Sequence, residues 1–318
     1  MGPAQVLDRQ PGTRLLGKTN DLLLRVSLLY LQSPLVDELD SKSSRYSNRG
    51  EVGITRYSNY WGGSPPILRT RVYSGWLMNK KHQKSKLSIV TGGGGGIGSE
   101  IIQMLKDRGD TVYSIGRSDT RSDHIQADLA SDNGLGEIIP TLGRRKVDNL
   151  IFSHRYRGTD PREDCDISFL AIDRAINSLE QSLSRNASIV ILSSVAAVSV
   201  FDEQSSIYHG TRSGLEGLTR FFAARLGAKG IRCNCVLPST LIKSSNKKFF
   251  TKTNPVRRLI EEITPISRMG SAVDIANLVE FLCSSRASYI TGQSIVVDGG
   301  LSLVNQESIA RRLTDLQH

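Results

Sequence analysis

The chain has 318 residues, 38% apolar and 23% charged, with 41 Lys+Arg against 31 Asp+Glu for a formal charge of +10. That size suits one domain of about 230 residues with an appendage, or two small domains. It excludes a membrane-spanning design, because the most apolar early run, Leu22 to Leu31, is broken by Arg25 and falls short of the roughly 20 residues a bilayer needs.

The first residues do not carry a basic region, apolar core and cleavage site in that order, which argues against secretion. Cys165, Cys233, Cys235 and Cys283 show neither a disulfide framework nor paired zinc-ligand spacing. The expected setting is a reducing cytoplasm, with no metal site and no membrane partner. The charge looks like a nucleic-acid signal until it is located. Met1 to Lys86 holds 14 Lys+Arg against 6 Asp+Glu, leaving 27 against 25 for the rest. A nearly neutral remainder gives no reason to invoke nucleic-acid binding there.

Residues 1–85 mix Ser, Gly, Asn, Arg and Pro, hold Trp61 and Trp76, and show no sustained periodicity. Three readings stay open for this leader. It is a transit peptide, although Asp8, Asp21, Asp37, Glu38 and Asp40 are many acids for one. It is a basic arm that binds a partner. Or translation starts at Met78, since M-N-K-K-H-Q-K-S-K is an ordinary lead-in to a first strand; this last is the expectation.

The rest of the chain is organised around Leu87 to Gly98, L-S-I-V-T-G-G-G-G-G-I-G. A β-forming run meets five glycines, and an apolar helical pattern through Ile101, Ile102 and Leu105 follows until Gly109. Thr111 to Ile115 is a second β-rich run, so the glycines sit inside a β-α-β unit, the setting for a dinucleotide site. Glycine lets the backbone turn sharply and lets a pyrophosphate approach the main chain, while the helix start offers unpaired N–H groups. The bland alternative is a flexible linker.

The spacing T-G-x-x-x-G-x-G, carried by Thr91, Gly92, Gly96 and Gly98, resembles the short-chain dehydrogenase/reductase family. That resemblance runs from about Lys86 to Leu301 and implies one doubly wound α/β domain, of Rossmann type with a parallel sheet, over residues 86–301, with a tail at 302–318 that reads as a short amphipathic helix. It implies cofactor contacts at Thr91, Gly92, Gly96, Ile97 and Gly98, and an adenine contact at Asp128, which otherwise reads as a helix cap. After the second strand, Gly116 takes the place of the acid that accepts ribose hydrogen bonds. Arg117 follows and can pair with a 2′-phosphate, which favours NADP(H) over NAD(H). Val147 to Ser153 reads as a buried strand, but Phe152-Ser153-His154-Arg155 stands where the family has Asn-Asn-Ala-Gly; His154 is expected to be a surface or packing residue.

Catalysis is expected after Ser188 to Ser194, a strand ending in two serines, where Tyr208 follows fourteen residues after Ser194. A carbonyl reductase needs a proton donor for the nascent alkoxide and a group to hold the carbonyl oxygen. Tyr208 fits the first role and Ser194 the second. The family places a lysine four residues after the tyrosine, where it assists the acid and grips the nicotinamide ribose; here that position is Arg212. Arginine keeps the charge but gives up no proton. A helix expected over Ile167 to Leu183 matches the one that carries the family's catalytic asparagine, and aligning I-D-R-A with it puts Asp173 there. Asp173 reads either as an ordinary exposed helical acid or, if it and Arg212 both face the site, as that arginine's partner in an ion pair.

The helix of Tyr208 continues with Leu215, Leu218, Phe222 and Leu226 to Gly227; in relatives it pairs with a second subunit, which implies a homodimer or homotetramer, although core packing explains the stripe equally. Gly230 to Pro238, Pro265 to Gly270 and Ser288 to Gly300 follow the family closely, with Pro238 among the cofactor contacts. Lys243, Lys247, Lys248, Lys252, Arg257 and Arg258 lie in the segment that shapes specificity in relatives, and read either as a solvated face or as an attraction for an anionic substrate. The function implied is an NADP-dependent oxidoreductase of the 3-oxoacyl-carrier-protein reductase type. The alternative is a catalytically weak dinucleotide-binding protein serving as a sensor or partner subunit.

Overall fold

The computed structural model describes residues 85–117, 123–131 and 134–314. The leader at 1–84 and the last four residues lie outside them.

The chain enters through β1 (Leu87–Thr91) and turns over the glycines into α1 (Ile97–Arg108). Gly109 closes α1 in the left-handed region at φ 102°, as the sequence predicts, and β2 (Thr111–Gly116) follows. Then come β3 (His124–Gln126), α2 (Gly134–Leu142) and β4 (Val147–Phe152). Next, α3 (Pro161–Cys165), a π-helical turn (Asp166–Leu170) and α4 (Ala171–Leu179) form one interrupted rod. β5 (Leu183–Leu192), α5 (Ser206–Leu226) and β6 (Arg232–Pro238) follow. The last third holds the short β7 (Leu241–Ile242), α6 (Pro255–Ile263), the short β8 (Gly270–Ser271), α7 (Ala272–Leu282) and β9 (Ser294–Val297), and ends on α8 (Gln306–Leu313), the expected amphipathic tail helix.

Seven of these strands form one sheet in the order β3-β2-β1-β4-β5-β6-β9, every neighbouring pair parallel. Parallel neighbours need crossovers, and the crossovers lay helices on both faces. Strand residues alternate between those faces. Leu87 and Ile89 join a core with Ile138 of α2, Ile172 and Ile176 of α4 and Phe222 of α5, whereas Val90 joins one with Ile101 and Leu105 of α1 and Ile275 and Val279 of α7. Both faces of β1, β4, β5 and β6 are covered, which is why those strands read as nearly continuous apolar runs.

Strand order reverses between β1 and β4, each the start of a half-sheet running outward. A crevice opens there beyond the carboxyl ends of the strands, the place where doubly wound sheets hold ligands. The rod between β4 and β5 departs from expectation. In place of one helix over Ile167 to Leu183, α3 begins at Pro161 because the Asp160 carboxylate accepts from Arg162 N at 2.8 Å and Pro161 fits the first turn. The π turn then shifts the register before α4, a local irregularity of the kind that marks functional sites.

Candidate active site

The crevice is a cleft of about 270 Å³ lined by Thr91, Gly92, Gly96, Ile97, Arg117, Asp128, Arg212 and Pro238 among others, which are eight of the ten expected cofactor contacts. The other two have definite places. Gly98 lies beneath the loop, where a methyl group would run into the carbonyl oxygen of Gly92, so its role is to seat α1 against the turn. Tyr208 lines the adjoining cavity. At Gly92 the backbone has φ 70°, and a methyl group would lie 2.7 Å from His154 N and Cα. A side chain there is both strained and excluded.

His154 is the structural partner of that turn. Its Nδ1 lies 2.6 Å from Thr91 Oγ1 and its Nε2 lies 3.0 Å from the carbonyl oxygen of Ile167. A carbonyl accepts only, so Nε2 carries the proton and Nδ1 accepts from the threonine. Burial pushes the imidazole down to about 4, with the positive charge of Arg212 adding to the effect and the Ile167 carbonyl and Asp128 opposing it. The histidine is a neutral strut joining β1, β4 and the π turn, which agrees with a packing role and not with a surface one. Asp128 lines the cleft while its Oδ1 accepts from Ala130 N at 3.0 Å, a capping bond that leaves the residue at the cleft wall.

The second cavity shares Ile97, Arg155, Ser193, Pro238 and Lys243 with the cleft, and adds Ser194 and Tyr208. Ser194 lies two residues past the end of β5, and its Oγ accepts from Ala196 N at 3.2 Å, which fixes the side chain at the mouth of a short 3₁₀ turn. Ser193 Oγ donates to the carbonyl oxygen of Arg212 at 2.8 Å and ties the end of β5 to α5. Ser205 caps α5 by accepting from Tyr208 N at 3.0 Å, so the register of the helix is set at the residue that matters.

Arg212 is 2% exposed, and its Cζ lies 5.0 Å from the centroid of the Tyr208 ring. The guanidinium stacks on the ring face, a favourable cation–π arrangement. Its Nε and Nη2 have no hydrogen-bond partner. Burial lowers its proton affinity, while Tyr208 and Asp164 pull the other way.

The expected Asp173–Arg212 pair does not form. The carboxylate beside Arg212 is Asp164, whose Oδ1 lies 3.9 Å from Nη2 and accepts from Ser168 Oγ at 2.7 Å. Asp164 is 7% exposed. Asp173 lies on α4, where its carbonyl accepts from Asn177 Nδ2 and its side chain has no ion pair among the described residues. The cause is the early start of α3 and the π turn, which put a residue nine positions upstream at the site. Asp160-Pro161 was the available signal: an Asx cap followed by proline marks a helix start, and Asp164 falls one turn in.

Of the basic residues after β6, only Lys243 lines either cavity. Lys247, Lys248 and Lys252 are exposed, Arg257 pairs with Glu261 at 2.9 Å, and Arg258 donates to the carbonyl of Lys252. The four cysteines are free, and no helix among the described residues is long and apolar enough to cross a membrane.

The residues fit a dinucleotide. A glycine turn that leaves no room for a Cβ at Gly92 or Gly98 opens on a cleft, and a buried guanidinium with two unsatisfied nitrogens lines the same cleft.

Comparison with known proteins agrees. Residues 156–302 match the family model described as Enoyl-(Acyl carrier protein) reductase. A tropinone reductase homolog of Arabidopsis thaliana is 30% identical over 247 residues, covering 68% of this chain and 90% of that protein. A 3-oxoacyl-[acyl-carrier-protein] reductase of Rickettsia felis is 28% identical over 242 residues, 69% of this chain and 98% of that protein. The aldohexose dehydrogenase of Thermoplasma acidophilum, a solved structure, superposes with a TM-score of 0.63 at 26% identity, over 70% of this chain and 96% of that one. Glycine turn, parallel sheet, Ser-Tyr cavity and relatives together make this chain a member of the short-chain dehydrogenase/reductase family, oxidoreductases that work between carbonyl and alcohol with a nicotinamide cofactor.

Proposed function

We propose that the chain is an NADP(H)-dependent reductase of a small-molecule carbonyl, or the reverse dehydrogenase, with Tyr208 as proton donor. The observation that carries this reading is that Ser194 and Tyr208 line one cavity opening directly beside the glycine-turn cleft, with five residues common to both.

When bound, the nicotinamide cofactor supplies a hydride. The chain's own residues do the rest. Thr91, Gly92, Gly96, Ile97 and the start of α1 would hold the diphosphate, Asp128 the adenine and Arg117 a 2′-phosphate. Ser194 Oγ donates to the carbonyl oxygen, and the Tyr208 hydroxyl gives that oxygen its proton as negative charge develops there. Arg212 supplies positive charge beside the phenol, and its free nitrogens offer donors to the cofactor. It passes no proton, so Tyr208 is re-protonated through the open cavity that it shares with Asp164 and Glu203. The same reading carries a homo-oligomer, checked by sedimentation of the full chain.

The test measures NADPH affinity and reduction of a carbonyl panel side by side. Tyr208→Phe abolishes reduction and leaves NADPH binding intact. Arg117→Ala costs NADPH roughly 1.5–3 kcal/mol and NADH almost nothing, since charge-assisted phosphate contacts are worth that much. Equal losses for the two cofactors sink the NADP assignment. Tight binding without any turnover selects the sensor or partner-subunit alternative.

A further inference from the structure

Three cations converge where the two cavities meet. Arg155 and Arg157 come from the loop after β4, and Lys243 from the segment after β6. Arg155 and Lys243 line both the cleft and the Ser194–Tyr208 cavity, and Arg155 and Arg157 also line the neighbouring opening around Asp164, with Arg157 in the cleft as well. The stem of Lys243 passes over Gly96, with its Cδ 3.5 Å from where a Cβ would stand.

None of the three has an ion pair among the described residues, although ion pairs are common elsewhere in this chain. Lys243 is half-buried, and its ammonium is pushed down first by that burial and then by the charges of Arg155 and Arg157. Glu203 lines the Ser194–Tyr208 cavity, Asp128 the cleft, and Asp160 and Asp164 the third opening, but none of them forms an ion pair with the three cations among the described residues. Like charges gathered without a paired counter-charge disfavour the folded state unless an anion joins them.

We propose that Arg155 and Lys243 form a site for one anionic group, a carboxylate or phosphate, carried by the substrate, so that the substrate is an acidic carbonyl or alcohol held with its reacting carbon toward Ser194 and Tyr208. Arg157 supports the site from the cleft side. This deepens the reductase reading and rests on it for the word substrate. The guanidinium gives a bidentate fork for the anion, and the ammonium acts as a point charge that adapts to either group. A diphosphate from the cofactor is the other source of the same chemistry, since Lys243 overlies the glycine turn.

The experiment titrates inorganic phosphate into the full chain saturated with NADPH, reading cofactor fluorescence at constant ionic strength, and repeats it with Arg155→Gln and Lys243→Gln. Saturable binding that weakens at least tenfold in both variants, with NADPH affinity of Arg155→Gln within twofold of the parent, establishes the site. Absence of saturable binding to the parent overturns it, as does equal binding by the variants. A tenfold loss of NADPH affinity in Arg155→Gln, with phosphate unable to bind beside the cofactor, assigns the cluster to the diphosphate and also overturns it. Arg155 is exposed, so its variant is expected to fold, and coincident melting curves verify that. Turnover is scored separately: a carbonyl panel left untouched refutes the reductase reading while the phosphate titration still decides the anion site.

Discussion

The two ends of the parallel sheet treat buried positive charge in opposite ways. At the amino end, Arg108 donates to Asp110 at 2.6 Å and to Glu280 at 3.2 Å, and Asp110 in turn accepts from Ser88 Oγ at 2.6 Å. Burial would lower the proton affinity of Arg108, but the hydrogen bond and charge of Asp110 outweigh it and hold the guanidinium above its ordinary range. Arg232 at the same end donates to the carbonyl oxygens of Leu282, Ser284 and Ile290. At the carboxyl end, Arg212 is buried more deeply, yet two of its nitrogens have no partner, and Lys243 has no ion pair among the described residues. A saturated cation holds elements together. A cation left unsatisfied beside a cleft keeps its donors available to a ligand, which is what the proposed function asks of it.

The largest effect expected from breaking this contrast comes from neutralising one arginine at each end. Arg108→Met strands Asp110, whose side chain is 4% exposed, and should cost about 3–5 kcal/mol in urea unfolding, the usual consequence of removing one partner of a buried pair. Arg212→Met should change stability by about 1 kcal/mol or less in either direction while abolishing turnover, because no saturated pair is broken. Comparable stability losses in both variants would erase the contrast.

The second test concerns His154, whose two ring nitrogens are both engaged at the carboxyl end. Its folded value of about 4 lies below the ordinary 6.5, so below pH 6.5 the unfolded chain takes up the proton first. Its contribution is fully present above pH 6.5 and is lost as the pH falls toward 4, by up to about 3 kcal/mol. His154→Gln, which keeps an N–H for the Ile167 carbonyl, should flatten that part of the stability profile measured by denaturation at stepped pH. An unchanged slope would place the proton elsewhere.

The smallest effect separates Asp164 from Asp173. In a double-mutant cycle on kcat/KM, Arg212→Lys and Asp164→Asn should couple by about 1 kcal/mol, since groups in contact are not additive. Arg212→Lys and Asp173→Asn should add to within roughly 0.5 kcal/mol, as independent sites do. The reverse pattern would restore the pairing that the sequence alone suggests.

The glycine turn and the sheet were legible because their chemistry is local. Thr91 to Gly98 must turn a strand into a helix over a run of glycines, and β1, β4 and the end of β5 announce burial on both faces by their composition. Ser194, Tyr208 and Arg212 were picked out through the family resemblance; the structure puts Ser194 and Tyr208 in one cavity and Arg212 over the Tyr208 ring. Asp164 was not, because its position depends on a π turn that no apolar periodicity records, and Asp173 satisfied the pattern in its place.

His154 shows the same division: its residue type is plain, but its neutrality follows from a threonine sixty-three residues away and a carbonyl in the π turn. The fold class and the glycine turn were written in the sequence itself, because both are set by backbone geometry and apolar patterning over a few residues. Only the tertiary structure decided which carboxylate meets Arg212 and that Arg155 joins Lys243, because a charge's partner is chosen by distance and burial in space, and loops far apart in the chain bring those groups together.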